Sequence, residues 1–273
     1  MPASPEPAAF GLPRRDRLRA QAEHYQPPAF FTVRSRGDRL RLMARRLLDP
    51  SINSIWMDLA RVLPQAQGEL LDVGCGAQPY RSLVPAAARY VGLDRAEAAP
   101  AFGYAIPDTL YYEGDRWPVQ DRSADWILCS EVLEHVPDPA AFLAEAFRCL
   151  KPGGRVVFTV PFSARWHYIP HDYWRYTPSG LGRLFEGAGL AQVRVYARGN
   201  PLTLACHKAM SLVFPLLLGA GLGWRRHAGR ALGLLASPLA LAAALCACAT
   251  LGWDFGDDPI GYTVLAARPE DPV

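Results

Sequence analysis

Lysine is almost missing from this chain. Lys151 and Lys208 stand alone among 29 basic residues, the rest being arginine, and 26 acidic residues leave a net charge of only +3. That balance is too small to mark a nucleic-acid binder by itself, and no nucleic-acid partner is expected. The arginine bias, alongside abundant alanine, proline and glycine, reads as genome composition before it reads as function. Cysteine is sparse and unpaired. Cys75, Cys129, Cys149, Cys206, Cys246 and Cys248 form no C-x-x-C pair and no zinc spacing, which excludes a disulfide scaffold and a zinc ribbon. The first twenty residues carry arginines with no apolar run behind them, so no secretory signal is expected and a reducing, cytoplasmic compartment follows by default. Half of the 273 residues are hydrophobic, enough for a packed core and enough to exclude disorder of the whole chain.

What is there falls into blocks. Residues 1–13 hold four prolines and read as a disordered lead-in. Residues 14–66 read as basic N-terminal helices. In the first, Asp38 to Leu48, the residues Leu40, Met43, Ala44 and Leu47 recur at helical spacing between arginines, which suits either a solvated face or an anionic surface. In the second, Ser51 to Leu63, Ser51 or Asn53 is the expected cap. From Glu69 the pattern changes to short apolar runs, ELLDV, YVGLD, TLYYE, DWILCS, RVVFTV, QVRVYA and YTVLAA, separated by helical stretches such as Pro139 to Leu150 and Ser179 to Ala188. Strands alternating with helices imply a mostly parallel sheet covered on both faces. The sheet block, 67–198 and 259–269, is interrupted at 199–258 by two uncharged runs, 209–224 and 231–253, flanking RRHAGR.

The stretch LLDVGCGAQPY, residues 70–80, carries the chemistry. A strand ends in Asp72, and Gly74 and Gly76 make a turn in which the backbone can approach a ligand. A second strand ends in Asp94, placed to accept ribose hydroxyls at the carboxyl edge of the sheet. The dinucleotide fingerprint would need glycine where Pro79 stands, and its pyrophosphate would sit beside the Asp72 carboxylate. Asp72 suits a ligand with a cationic end instead, which favours S-adenosylmethionine over a nicotinamide dinucleotide.

LLDVGCG (70–76), VGLD (91–94), EGD (113–115), DWILCSEVLEHVPDP (125–139), LKPGGRVVFTVP (150–161) and HDYWRYTPSGLGRLFEGAGL (171–190) come in an order and spacing that resemble the class I S-adenosylmethionine-dependent methyltransferases of small-molecule type. The last stretch is more loosely similar to methyltransferases of bacterial cell-surface glycan and natural-product pathways. The resemblance implies an α/β fold, a doubly wound seven-stranded Rossmann-like methyltransferase sheet with an apolar helical insertion before the last strand. It implies that S-adenosyl-L-methionine is held by Asp72 at the methionyl amino group and by the backbone of Gly74, Cys75 and Gly76. Asp94, with Arg95 beside it, would take the ribose, Asp115, Arg116 and Trp117 the adenine, and Ser130, Glu131 and His135 the methyl-transfer end. Gln78 departs from the family pattern, which often has a third glycine there, and puts the loop shape in question.

The polar, aromatic connection from 160 to 179 is long enough to be functional. Methyl transfer needs alignment and exclusion of water, and a hydroxyl acceptor also needs its proton removed. His171 is the expected base, with His167 second and Tyr173 beside them; an aromatic lid stacked on Arg175 is the competing reading. A metal on His167, His171 and Asp172 is not expected, because Pro170 interrupts the helix their spacing requires. The run 231–253 is long enough to cross a bilayer, whereas 209–224 is short and broken by Pro215. Spanning would place RRHAGR on the far side against the positive-inside tendency, so an interfacial element on the inner face of the membrane is expected ahead of a buried cap or a homodimer contact. The expected activity is methylation of an oxygen on an apolar, lipid-linked or natural-product acceptor, the alternatives being a soluble N- or C-methyltransferase of small molecules or a non-catalytic methyltransferase-like protein that serves a partner; the expected partner is a small-molecule or lipid-linked acceptor.

Overall fold

The computed structural model describes residues 30–98, 106–218 and 224–271. The expected lead-in over 1–13 lies outside them. Two helices come first, α1 (Arg36–Leu48) and α2 (Pro50–Val62). Ser35 and Asp38 close a capping box at the start of α1, while Asp49 caps α2 through the amides of Ser51 and Ile52. The cap expected at Ser51 or Asn53 is therefore corrected. Asp49 followed by Pro50 is the better start, because proline at the first helical position sacrifices no hydrogen bond. Asn53 instead accepts from Arg46 Nε at 2.9 Å.

All seven apolar runs are strands: β1 (Glu69–Val73), β2 (Arg89–Arg95), β3 (Thr109–Tyr112), β4 (Ala124–Ser130), β5 (Leu150–Pro161), β6 (Ala191–Arg198) and β7 (Gly261–Ala267). They form one sheet in the order 3-2-1-4-5-7-6. Neighbours from β3 to β5 pair in parallel, while β7 runs antiparallel between β5 and β6. Between strands lie α3 (Pro139–Cys149) and α4 (Pro178–Gly187), then α5 (Pro201–Leu218) and α6 (Trp224–Thr250).

Alternation along the strands splits the core in two. Leu71, Ile127, Val156 and Phe158 point to the face covered by Leu143 and Ala146 of α3 and Leu181 and Phe185 of α4. Leu70, Trp126, Leu128 and Val157 point to the other face, under Ile55 and Leu59 of α2. Each fully buried leucine-sized side chain adds roughly 1.5–3 kcal/mol, so α2 is part of the sheet's packing rather than an appendage.

The insertion is a helical hairpin between β6 and β7. Asn200 bolts its base. The Asn200 side chain accepts from the amides of Leu202 and Thr203 and donates to the carbonyls of Thr250 and Trp253. Pro215 does not break the first run as expected, since α5 continues through it to Leu218, and Pro238 likewise lies inside α6. A proline ring forfeits one hydrogen bond, and packing against a neighbour compensates. Residues Gly233, Ala240, Ala244 and Ala247 are the buried face of α6, where Gly233 lies close to the Leu217 backbone. The opposite arc is apolar and exposed, with Leu235 at 81% and Leu239 at 71%.

Candidate active site

The carboxyl ends of β1 and β2 form the first half of the site. Gly74 and Gly76 have φ of 70° and 51° after β1. At Gly74 a Cβ would come within 2.4 Å of Val132, so both the turn and the packing require glycine there. The amides of Gly74 and Cys75 donate to the Leu93 carbonyl, and the Gly76 amide donates to Asp94 Oδ2 at 2.9 Å. Asp94 thus pins the glycine turn while its other oxygen accepts the Arg95 amide. The Arg95 guanidinium turns to Glu97 and the Gly114 carbonyl. Gln78, the departure from the family pattern, has φ of 53° and is buried, donating to Thr109 Oγ1 at 3.0 Å. It closes the turn from below, so the loop keeps its shape without a third glycine.

Asp72 is buried and accepts a hydrogen bond from the Tyr90 hydroxyl. Burial raises its pKa to about 7, with the Tyr90 bond pulling down and the Asp94 charge pushing up. Asp72, a buried carboxylate beside the glycine turn with no cation against it among the described residues, fits the cationic end of S-adenosylmethionine, and Asp94 at the end of the neighbouring strand fits its ribose. Cys75 is also buried, its thiol raised by burial and by the two aspartates. At the adenine side the Trp117 indole packs edge-on to Phe142 in the core with ring centroids 5.2 Å apart, while Arg116 and Asp115 lie exposed at the rim, Arg116 at 3.9 Å from Asp121.

The second half follows β4. Ser130 Oγ lies 2.8 Å from Thr159 Oγ1. Glu131, at φ 54°, gives its carboxylate to Arg198 Nη2 at 2.7 Å. Arg198, buried at the end of β6, also donates to Ser54 Oγ and the Val160 carbonyl. Sequence reading missed it; an arginine closing a strand just before Gly199 and Asn200 was the available signal. Next comes a short turn, Leu133–His135, with Glu134 fully buried. Burial, and the nearby Glu131 charge, push the Glu134 carboxyl well above the usual carboxylate range.

The 162–177 connection is fastened onto this turn. The amides of Tyr173 and Trp174 donate to the Glu134 carbonyl, Trp174 Nε1 to the Val136 carbonyl, and Tyr176 Oη to the Leu133 carbonyl. Asp172 holds Arg175 by two bonds, 2.6 and 2.8 Å. The connection is thus tied down over the turn, and Arg175 is fixed by a carboxylate rather than by stacking. It brings His167 against His135, ring centroids 4.8 Å apart, with Tyr168 at 5.3 Å from His135. Burial lowers the His135 pKa to about 4. His171 lies exposed at the rim beside the Tyr173 hydroxyl, at 3.1 Å, so the half-buried imidazole pair is His135 and His167.

A family model described as a methyltransferase domain matches residues 44–195. This chain belongs to that family. The methyltransferase is 31% identical over 192 residues to an uncharacterized methyltransferase of Mycobacteroides abscessus, covering 65% of this chain and 68% of that protein. It is 30% identical over 175 residues to a ubiquinone biosynthesis O-methyltransferase of Thiobacillus denitrificans, covering 54% and 75%. Among solved structures it overlaps a Haemonchus contortus phosphoethanolamine N-methyltransferase complexed with S-adenosyl-L-methionine, at 15% identity and TM-score 0.46, over 79% of this chain and 53% of that one. The methyltransferase thus spans about half the length of that enzyme. It is S-adenosylmethionine-dependent.

Proposed function

We propose that this methyltransferase places its methyl group on a hydroxyl oxygen of an apolar or lipid-linked acceptor, working at an anionic membrane surface on the cytoplasmic side. The observation that carries the oxygen chemistry is the His135–His167 pair, seated over the carboxyl edge of the sheet under a fixed loop. An amine acceptor needs little help with its proton, whereas a hydroxyl does, and imidazole is the suited group. Relatives named for oxygen methylation in ubiquinone biosynthesis support the same reading.

The bound cofactor supplies an electrophilic methyl already activated by its sulfonium charge. The chain's part is to bind, align and dry the site. Asp72 faces the cationic end and Asp94 the ribose, the 162–177 lid excludes water, and the imidazole pair activates the hydroxyl, a role His171 at the rim is less well placed to fill. Asp94→Ala is expected to weaken S-adenosylhomocysteine binding by ~1.5–3 kcal/mol for each charge-assisted bond lost. Asp94→Asn, which can still accept the Gly76 amide, should lose less. Unchanged affinity of both variants by calorimetry removes the ribose assignment.

The surface supports the acceptor class. Within Arg226–Thr250 an 18-residue stretch has a mean hydropathy of 2.1, and only 22% of it is buried, so most of this apolar stretch of α6 faces outward. The end of α6 meets the end of α1, where Cys248 Sγ reaches the Leu47 carbonyl, and α1 exposes Leu40 and Met43 in its turn. An apolar arc of that extent needs lipid, protein or an apolar ligand over it. At 1.5 Å per residue α6 is about 40 Å long, and lying flat it puts its arginine end at headgroup level. The test is methyl transfer to a hydroxylated apolar acceptor carried in anionic vesicles. Activity should exceed that on the corresponding amine, and Arg225→Glu, Arg226→Glu and Arg230→Glu together should weaken vesicle binding by roughly 100-fold, near 1 kcal/mol per arginine. A protein that ignores vesicles sinks the membrane reading, and preference for the amine sinks the oxygen reading.

A further inference from the structure

Glu134 is a buried carboxylate whose role the fold does not explain. It is 0% exposed, and among the described residues neither of its oxygens has a hydrogen-bond partner. Orphaned buried carboxylate oxygens cost several kcal/mol unless a charge meets them. Arg175 is the nearby cation, but its guanidinium is taken up by Asp172 and the carbonyls of Trp174 and Arg165. His135 Nε2 lies 3.6 Å from Glu134 Oε1.

The two imidazoles are oriented alike. His135 Nδ1 is 2.6 Å from the His171 carbonyl, an acceptor only, so that nitrogen carries the hydrogen. His167 Nδ1 is 2.9 Å from the Arg165 carbonyl and 3.1 Å from Asp172 Oδ2, again acceptors only. Both rings therefore keep a bare Nε2 lone pair, that of His135 turned toward Glu134, each ring fixed by an oxygen on its other nitrogen. That is how metal-ligating histidines are held, down to the carboxylate behind one of them. Glu134, His135 and His167 each offer a ligand atom, all within 4.8 Å of one another.

We propose that Glu134, His135 and His167 bind one divalent transition-metal ion of the Zn2+ type. Two imidazole nitrogens and one carboxylate match the three-ligand sites that leave a position open, whereas Mg2+ and Ca2+ prefer all-oxygen shells. The open position, beside the site of methyl transfer, takes water or the acceptor's hydroxyl oxygen, whose acidity the cation raises so that its proton passes to solvent water; with both Nε2 lone pairs on the ion, the imidazole pair activates the hydroxyl through the metal and not as the base itself. The inference thus deepens the oxygen-methylation reading, and its catalytic part rests on that reading, but the site itself does not. The expectation from sequence that no metal is held rested on His167, His171 and Asp172 as ligands. The fold breaks that set, turning Asp172 to Arg175 and His171 outward, and builds a different one.

The full-length protein, stripped by a chelator and then dialysed, is titrated with Zn2+ by calorimetry. One equivalent should bind, and excess Mg2+ should not compete. Glu134→Gln and His167→Ala should each weaken binding by more than about tenfold, and Asp172→Asn by about 10–100-fold, as for groups behind a ligand. His227→Ala, on the exposed start of α6, should leave it unchanged. S-adenosylhomocysteine affinity reports the fold of each variant; if Glu134→Gln does not fold, His167→Ala on the surface loop decides. No Zn2+ bound by the wild type, or binding that survives His167→Ala, overturns the site. Zinc binding without methylation of any hydroxyl acceptor keeps the site and removes the oxygen reading; hydroxyl methylation by a chain that binds no zinc does the reverse.

Discussion

Replacing His167 with alanine is expected to cut turnover on a hydroxyl acceptor by about 10²–10⁴-fold, the range for losing a group that manages the acceptor's proton. S-adenosylhomocysteine affinity should stay as it was, because Asp72, Gly76 and Asp94 lie on β1, β2 and their turns, and the loop is fastened to Glu134, Val136 and Leu133 by bonds that do not use the His167 ring. His171→Ala is the contrast. Its ring is exposed and only its backbone carbonyl holds His135, so turnover should change by less than about threefold. Steady-state and single-turnover rates on both variants check this. If His171→Ala proves the damaging change, the proton leaves through the rim and the role given to the buried pair is wrong.

The strands were readable because they are short runs of β-branched, aliphatic and aromatic residues, most of them ended within two residues by glycine, aspartate or proline. The burial of β4 and β5 on both faces leaves little room for another reading. The glycine turn and the aspartates ending β1 and β2 were readable for the same reason, as local features of strand ends. What stayed hidden depends on distant contacts. Arg198 reaches Glu131, and His167 reaches His135, only because the sheet order brings β6 beside β7 and lays the loop after β5 over the end of β4. Sequence spacing pointed to His171 because it shares a stretch with Asp172 and Tyr173. A buried hydrogen-bond pattern, which spacing does not encode, turned that ring outward. Trp117 was read for the cofactor because it follows Asp115, yet an aromatic after a turn packs as readily into a core, as it does here against Phe142.

Affinity for S-adenosylmethionine is expected to rise about tenfold per pH unit up to pH 7, the slope of a single coupled proton, and to level from there to about pH 8, where the ligand's own amino group begins to lose its charge. The sign follows from Asp72. In the free protein burial holds its pKa at about 7, so below that pH the group is largely neutral. A ligand whose cationic end faces Asp72 prefers the carboxylate, lowers its pKa in the complex and releases a proton on binding. Raising the pH through 7 removes that cost. The ligand's own amino group stays protonated through this window, near its usual value of about 7.7–8.0, so it does not produce the slope. Tyr90→Phe removes a hydrogen bond that favours the carboxylate, so the level region should begin at a higher pH. Asp72→Asn should flatten the profile and leave binding weak throughout. Calorimetry at pH 6 in two buffers of different ionisation enthalpy measures the proton directly. Release approaching one proton in the wild type and none in Asp72→Asn is the expected result. Equal release in both proteins places the titrating group elsewhere and takes the cationic end of the cofactor away from Asp72.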